Sequence, residues 1–432
     1  MTIQNLFSFI DNSPTAFHAI NTVEERLRQN GYTELLETES APIELGGKYY
    51  FTRNGSSVIA FQIPNTLPVG FMIAASHSDS PTFKIKPNGE LEAIGQYLKL
   101  NTERYGGMIM STWFDRPLSI AGRVVTETKD GIEVKLVNID RDLLVIPSVA
   151  IHMNRLANDG YKYNPASDTL PLMASLPNDE RLTDLLAEAA NCPKEAIIGH
   201  DLFLYARQKS CLVGSDDSFF LAPRIDNLEC AHATLEGFLK AKSEKAVAMY
   251  ALFDNEETGS ATKQGAASDF LETVITRITQ ALGINPAPLL ANSMMLSADN
   301  AHARHPNHPE LADAQNAPHM NKGIVIKYNA SQKYTTDGVS AALFTKICQK
   351  ADVPVQVYAN RSDMAGGSTL GSIATTKVSI KTVDIGLAQL AMHSACETAG
   401  VKDIAYLEKA SEVFFSASLT TGNQSVKIEF GT

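Results

Sequence analysis

At 432 residues, with 44% hydrophobic and 20% charged side chains, the chain reads as an ordinary globular protein too long for one comfortable core. Its 37 basic and 48 acidic residues leave a net charge of −11, which argues against nucleic acid or an anionic membrane as a partner. Five scattered cysteines without a C-x-x-C pair read as reduced, and no leader-like or membrane-length apolar run is present, so the expectation is a cytoplasmic protein.

In chain order, a helix is expected first. Ser13 can cap it, Pro14 suits its first position and Gly31 can close it, with Phe17, Ile20, Val23 and Leu27 on one buried face. Strands follow at 48–53, 57–63 and 70–76. After Pro81 the texture becomes β-rich: 82–86, 97–102, 118–128 and 132–138 alternate or carry β-branched residues, and Lys129-Asp130-Gly131 signals a hairpin. Phe203 to Val213 is less regular, and a helix around 179–190 interrupts the pattern. Residues 85–221 are therefore expected to form an inserted, β-rich domain. From 222 onward, helices (226–242, 265–283, 338–351, 402–418) alternate with apolar strands (246–253, 293–297, 324–328, 354–358, 378–380). That alternation predicts a three-layer α/β/α domain made of two pieces, 1–84 and 222–432.

Several apolar runs end in polar clusters. Ala246–Phe253 ends in Asp254, Glu256 and Glu257; Gly70–Ala75 ends in His77 and Asp79; Ser293–Leu296 ends in Asp299 and His302; Phe219–Pro223 precedes Arg224 and Asp226. Packed carboxylates raise one another's pKa unless a cation neutralises them, and adjacent glutamates can divide metal binding from proton handling. In open α/β sheets ligands bind at the carboxyl ends of strands, so these clusters predict one shared polar site. Each cluster taken singly is also what a solvated acidic loop looks like.

The segments His77-Ser78-Asp79-Ser80-Pro81, Pro223-Arg224-Ile225-Asp226-Asn227-Leu228, Phe253-Asp254-Asn255-Glu256-Glu257, Ser297-Ala298-Asp299 and Ala391-Met392-His393-Ser394 resemble, in order, those of aspartyl aminopeptidases. Ser13-Pro14-Thr15-Ala16-Phe17-His18 and Trp113-Phe114-Asp115-Arg116 extend the resemblance over nearly the whole chain, while Pro117 and Ser372 depart from the family pattern outside the ligand set. The resemblance implies a zinc-exopeptidase fold with the insertion as a dimerisation element, a dodecameric homo-oligomer, and release of N-terminal Asp or Glu from peptides. It further implies two zinc ions per subunit, with manganese or cobalt as substitutes, bridged by Asp226 around a hydroxide. One ion would take His77 and either Glu257 or Asp299; the other would take His393 and the remaining carboxylate. Imidazole and carboxylate without thiolate suit catalytic zinc.

Glu256 is then the expected general base, and Asp79, two residues from His77 on an extended segment, is expected to orient that imidazole. His152 is expected to reach a neighbouring subunit's site and hydrogen-bond the oxyanion, with direct zinc ligation as the alternative and a plain surface histidine as the reading from residues alone. Lys327, at the end of an apolar strand, is expected to pair with an acidic substrate side chain, and Asp363 to lie with the Gly366-Gly367 loop under the substrate backbone. His302, His305, His308 and His319 are spaced irregularly between prolines and read as loop residues outside the ligand set. Two alternatives stay open: a dinuclear-metal amidohydrolase acting on neutral N-terminal or N-acyl substrates, and a non-catalytic metal-binding relic.

Overall fold

The computed structural model describes residues 2–40 and 42–431. Its organising element is the strand Val247–Phe253, buried along its whole length. Successive side chains of a strand point to opposite faces. Ala248, Tyr250 and Leu252 join one apolar cluster with Phe238, Phe344 and Ile404, whereas Met249, Ala251 and Phe253 join another with Phe270, Val274 and Ile278. A strand covered on both faces by helices needs no polar alternation, which is why this run reads as continuously apolar.

Around it lies a nine-stranded sheet in the order Thr33–Glu34, Lys48–Arg53, Ser57–Gln62, Val247–Phe253, Phe71–His77, Met294–Ala298, Lys381–Gly386, Ile324–Tyr328, Val355–Ala359. The four central strands are parallel. Phe253 pairs with His77, Ser297 with Ala75, and Ala298 with Ile385. That register brings the ends of three polar-tailed runs, at His77, Asp254 and Asp299, to one edge of the sheet.

The β-rich lobe is a six-stranded antiparallel sheet in the order Gly131–Asn138, Leu118–Thr128, Ile197–Ala206, Thr82–Ala93, Tyr97–Tyr105, Leu172–Ser175. It has its own core, including Phe83, Trp113, Ile120 and Leu202, onto which Leu182, Leu185 and Leu186 of the helix Leu182–Ala190 pack. Cys211–Val213, inside the span 85–221, and Phe219–Ala222, which crosses its end, do not join this sheet. They pair instead with Glu397–Gly400, Ala388–Leu390 and Ala301–His302 in a separate five-stranded sheet. No helix among the described residues is long and apolar enough to cross a membrane.

Two local expectations change. The N-terminal region is two helices, Thr2–Asp11 and Ala16–Gln29, with Thr15 rather than Ser13 at the N-cap position. The Ser13 hydroxyl is buried without a partner among the described residues. The strand expected at 378–380 runs instead from Lys381 to Gly386. Asp384 inside it is fully buried, accepting hydrogen bonds from the Thr335 N–H and the Thr335 and Thr369 hydroxyls, and such a satisfied acid hides a strand from hydropathy.

The helices Ile225–Lys240 and Val401–Phe415 pack together closely at Gly237. A Cβ there would lie 2.5 Å from Ser411 Cβ and 2.7 Å from the Glu408 carbonyl oxygen. Gly237→Ala is therefore expected to destabilise the protein by about 1–3 kcal/mol, as for other overpacked cores. An unchanged denaturant midpoint would show that the two helices are not held at this distance.

Candidate active site

The Asp226 carboxylate lies between two imidazoles at the sheet edge. Its Oδ1 is 3.3 Å from His77 Nε2 and its Oδ2 is 3.4 Å from His393 Nε2. Beyond His77, Asp299 Oδ1 stands 4.0 Å from the same nitrogen; beyond His393, Glu257 Oε1 stands 3.3 Å away. Two three-residue groups result, His77–Asp226–Asp299 and Asp226–Glu257–His393, each with ligand atoms within 4.8 Å of one another and sharing Asp226. The pairing that the sequence leaves open is thus Asp299 with His77 and Glu257 with His393, although His77 also lies near Glu256 and Glu257.

Buried acceptors without donors are costly, and two occur here: Asp226 Oδ1 and Glu257 Oε1 accept no hydrogen bond. Carboxylate oxygens and imidazole nitrogens without sulfur are the donor set that divalent zinc takes in catalytic sites. The residues present fit such an ion. A Cβ on Gly386 would lie 1.8 Å from the Asp299 carbonyl oxygen, so this close approach of strand to loop needs glycine.

Two buried carboxylates hold the loops that carry these groups. Asp79 accepts the Glu256 N–H on Oδ1 and the Glu257 N–H on Oδ2, both at 3.1 Å, and the Tyr105 hydroxyl at 2.7 Å. His77 Nδ1 lies closer to the Asp79 carbonyl oxygen, at 3.0 Å, than to its carboxylate, at 3.4 Å. Asp79 therefore orients the imidazole chiefly through its backbone, because its side chain is taken up by the glutamate loop. Glu397 does the matching job on the other side and is not singled out by the sequence reading. Its carboxylate accepts the Asp226 N–H at 3.0 Å and the His393 N–H at 2.7 Å. Its only signal in the sequence is an acid inside the otherwise small and apolar run Ala395–Gly400.

Arg224, Asn255 and His393 all adopt left-handed φ, at 59°, 60° and 68°. Such positions are uncommon for residues with a Cβ and gather where the surroundings over-determine the backbone. His393 is a cluster residue, Asn255 adjoins Glu256, and Arg224 lies two residues before Asp226.

Electrostatics follow from burial. Desolvation, with Asp299, Asp79 and Asp226 nearby, pushes Glu256 up to about 8 against the opposing pull of His77. Burial, with Asp226 beside it, pushes Glu397 up to about 8. Glu257 is likewise raised, first by burial and then by Asp226. Burial alone would raise Asp226, but His393 and His77 reverse this and hold it below the usual range. Crowded acids of this kind keep protons until a cation replaces them.

The cleft over the cluster has a volume of about 170 Å³ and is lined by Glu256, Lys327, His302, Tyr334 and Tyr358 among others. Lys327 is 3% exposed; its ammonium donates to the Asn300 carbonyl oxygen at 2.6 Å and lies 3.8 Å from Asp299 Oδ1. Burial disfavours that charge, but Asp299 together with Tyr334, Asp384 and Asp226 outweighs it and Lys327 is pushed up to about 12. Two expected site residues are not brought here. Asp363 is exposed and its carboxylate pairs with both Nε and Nη2 of Arg361 at 2.6 Å. His152 is exposed on an irregular segment of the β-rich lobe. Of the loop histidines only His302 lines the cleft; His308 instead pairs with Glu310 at 3.2 Å.

Comparison with known proteins finds matches over almost the whole chain. The family model described as "Aminopeptidase I zinc metalloprotease (M18)" matches residues 9–415. A "Probable M18 family aminopeptidase 2" from Clostridium acetobutylicum is 46% identical over 425 residues, covering 96% of this chain and 98% of the relative. Among solved structures, the Ape4 and Nbr1 complex superposes with a TM-score of 0.92 at 36% identity, covering 96% of this chain and 85% of that one. The S. cerevisiae mApe1 dodecamer superposes with a TM-score of 0.85 at 28% identity, covering 95% of each chain. An acid-bridged, imidazole-flanked cluster on an α/β sheet with a β-rich insertion, in a chain matched over almost its full length, identifies a zinc metallo-aminopeptidase of the M18 family.

Proposed function

We propose that the chain releases N-terminal residues, preferentially Asp or Glu, from peptides, using two zinc ions held by His77 and Asp299 on one side and by His393 and Glu257 on the other, with Asp226 shared. The observation that carries this is the Asp226 carboxylate set between two imidazoles, each with a second carboxylate behind it. When bound, such ions acidify water and polarise a peptide carbonyl; manganese or cobalt would serve the same donor set.

The chain's own groups supply the rest. Glu256, lining the cleft and raised toward neutral pH, takes a proton from the attacking water and returns it to the leaving amine. Asp79 fixes the backbone on which Glu256 and Glu257 stand, and Glu397 fixes that of Asp226 and His393. The buried ammonium of Lys327 is the cleft's counter-charge for an acidic substrate side chain. One observation favours the neutral-substrate alternative: that ammonium already donates to the Asn300 carbonyl oxygen and faces Asp299.

His152 is proposed to complete the site of a second copy of the chain in a homo-oligomer, stabilising the oxyanion. Val149, Ile151, Met153 and Leu156 beside it are exposed, at 52%, 44%, 79% and 64%, as expected of a surface covered by another subunit. A cytoplasmic location is proposed on the five cysteines, all free thiols in the structure.

Metal analysis of the purified protein should return about two zinc ions per chain, as the shared-carboxylate geometry of two-metal sites requires. Glu256→Gln should keep that content while turnover falls by about 10²–10⁴-fold, the usual worth of a general base; Glu397→Ala should lose zinc. Full activity in the first variant, or full zinc in the second, would remove the respective role.

Lys327→Met should abolish discrimination between Asp- and Leu-p-nitroanilide while leaving zinc in place. If the Asp/Leu ratio is unmoved, the neutral-substrate alternative stands instead. A monomer isolated by dilution should be inactive and recover on reassembly; normal turnover by the monomer would dismiss the role given to His152.

A further inference from the structure

Asp226 borders two cavities. The second, of about 210 Å³, lies behind the cluster between the Pro14–Phe17 segment, the six-stranded sheet and the Pro223–Asp226 turn. Arg224 lines it. One guanidinium nitrogen of Arg224 donates to the Ile10 carbonyl oxygen at 3.0 Å, and its Nε–H is buried with no acceptor among the described residues.

The nearby acids do not neutralise it. Asp11 and Glu397 attract Arg224 only from a distance, and both are already engaged. Asp11 accepts from the Ser210 N–H and hydroxyl, Glu397 from the Asp226 and His393 N–H groups. Lys84 and Arg123 on the same walls, by contrast, each pair with Asp201 at 2.9 Å. A buried guanidinium without a contacting counter-charge is costly. A second donor on the cavity wall, the Trp113 indole N–H, is also buried without an acceptor. Phe17, Leu204 and Ala206 form an apolar patch on a wall that also bears Asp79, Asp226 and Asp254, none of which forms an ion pair with Arg224 among the described residues.

We propose that this cavity is a binding site for a small carboxylate bearing a short apolar tail, with Arg224 as its counter-charge. Unsatisfied N–H donors and a cation select an anion, and the apolar patch selects an organic one over a hydrated halide. A simple short-chain acid and a free amino acid both present this chemistry.

Trp113 is the single tryptophan of the chain, so its fluorescence reports on this cavity. Propionate, L-leucine and chloride would be titrated into the zinc-loaded, full-length protein at constant ionic strength. Propionate should give a saturable change that Arg224→Met abolishes and Arg224→Lys moves to at least about 10-fold higher concentration, since lysine lacks the planar fork. Ala16→Leu, which narrows the cavity but keeps Arg224, should weaken the response and guards against Arg224→Met failing to fold. A leucine response lost in Arg224→Met supports the same site with an amino acid as its source; a propionate response alone supports a simple acid. A chloride response equal to that of propionate, no saturation by about 100 mM propionate, or a response surviving in Arg224→Met would overturn the proposal. The readout involves no turnover, so it stands or falls separately from the peptidase reading.

Discussion

Crowding of like charge at one sheet edge is the constraint on which the rest of this structure depends. Asp79, Asp226, Asp254, Asp299 and Glu397 are buried there and Glu256 and Glu257 half-buried. Water cannot screen such a group, and mutual repulsion in a poorly polarisable interior is far stronger than at a surface. Its signature is the upward displacement of Glu256 and Glu397 to about 8. Only Asp226, held between two imidazoles, goes the other way. One acid lowered beside others that are raised is an arrangement that a cation would relieve.

Holding that crowd together needs rigidity the side chains cannot supply alone. Asp79 and Glu397 supply it by spending their own carboxylates on backbone N–H groups of the loops that bear Glu256, Glu257, Asp226 and His393. These hydrogen bonds over-determine the backbone next to Asn255 and at His393, where left-handed φ occurs. Tyr105 extends the bracing into the β-rich lobe, since its hydroxyl touches both Asp79 and the Asn255 side-chain amide. The lobe is thus mechanically tied to the cluster. The Arg224 cavity opens at this same junction, which would make the rear of Asp226 sensitive to what fills it.

M18 membership places this chain among zinc metallo-aminopeptidases, but family does not fix the substrate. Specificity rests on local balance. Lys327 is buried and charged because Asp299, with Tyr334, Asp384 and Asp226, compensates its desolvation, so the same carboxylate is coupled both to His77 and to the Lys327 ammonium.

The sequence by itself determined the layered architecture, because buried strands and amphipathic helices leave periodicities that need no partner to be read. It also drew attention to His77, Asp226, Glu257 and Asp299, since acids and imidazoles at the ends of apolar runs are conspicuous, whereas His393 follows no such run and is singled out only by family resemblance. Tertiary structure alone decided which carboxylate faces which imidazole, because that depends on strand register between segments far apart in the chain. It alone exposed Glu397, whose role lies in accepting N–H groups from residues 171 and 4 positions away. It also withdrew Asp363 to the surface, where Arg361 holds it. Hydrogen-bond acceptance and burial are properties of a neighbourhood, and a one-dimensional pattern records only the residue that brings the capacity for them.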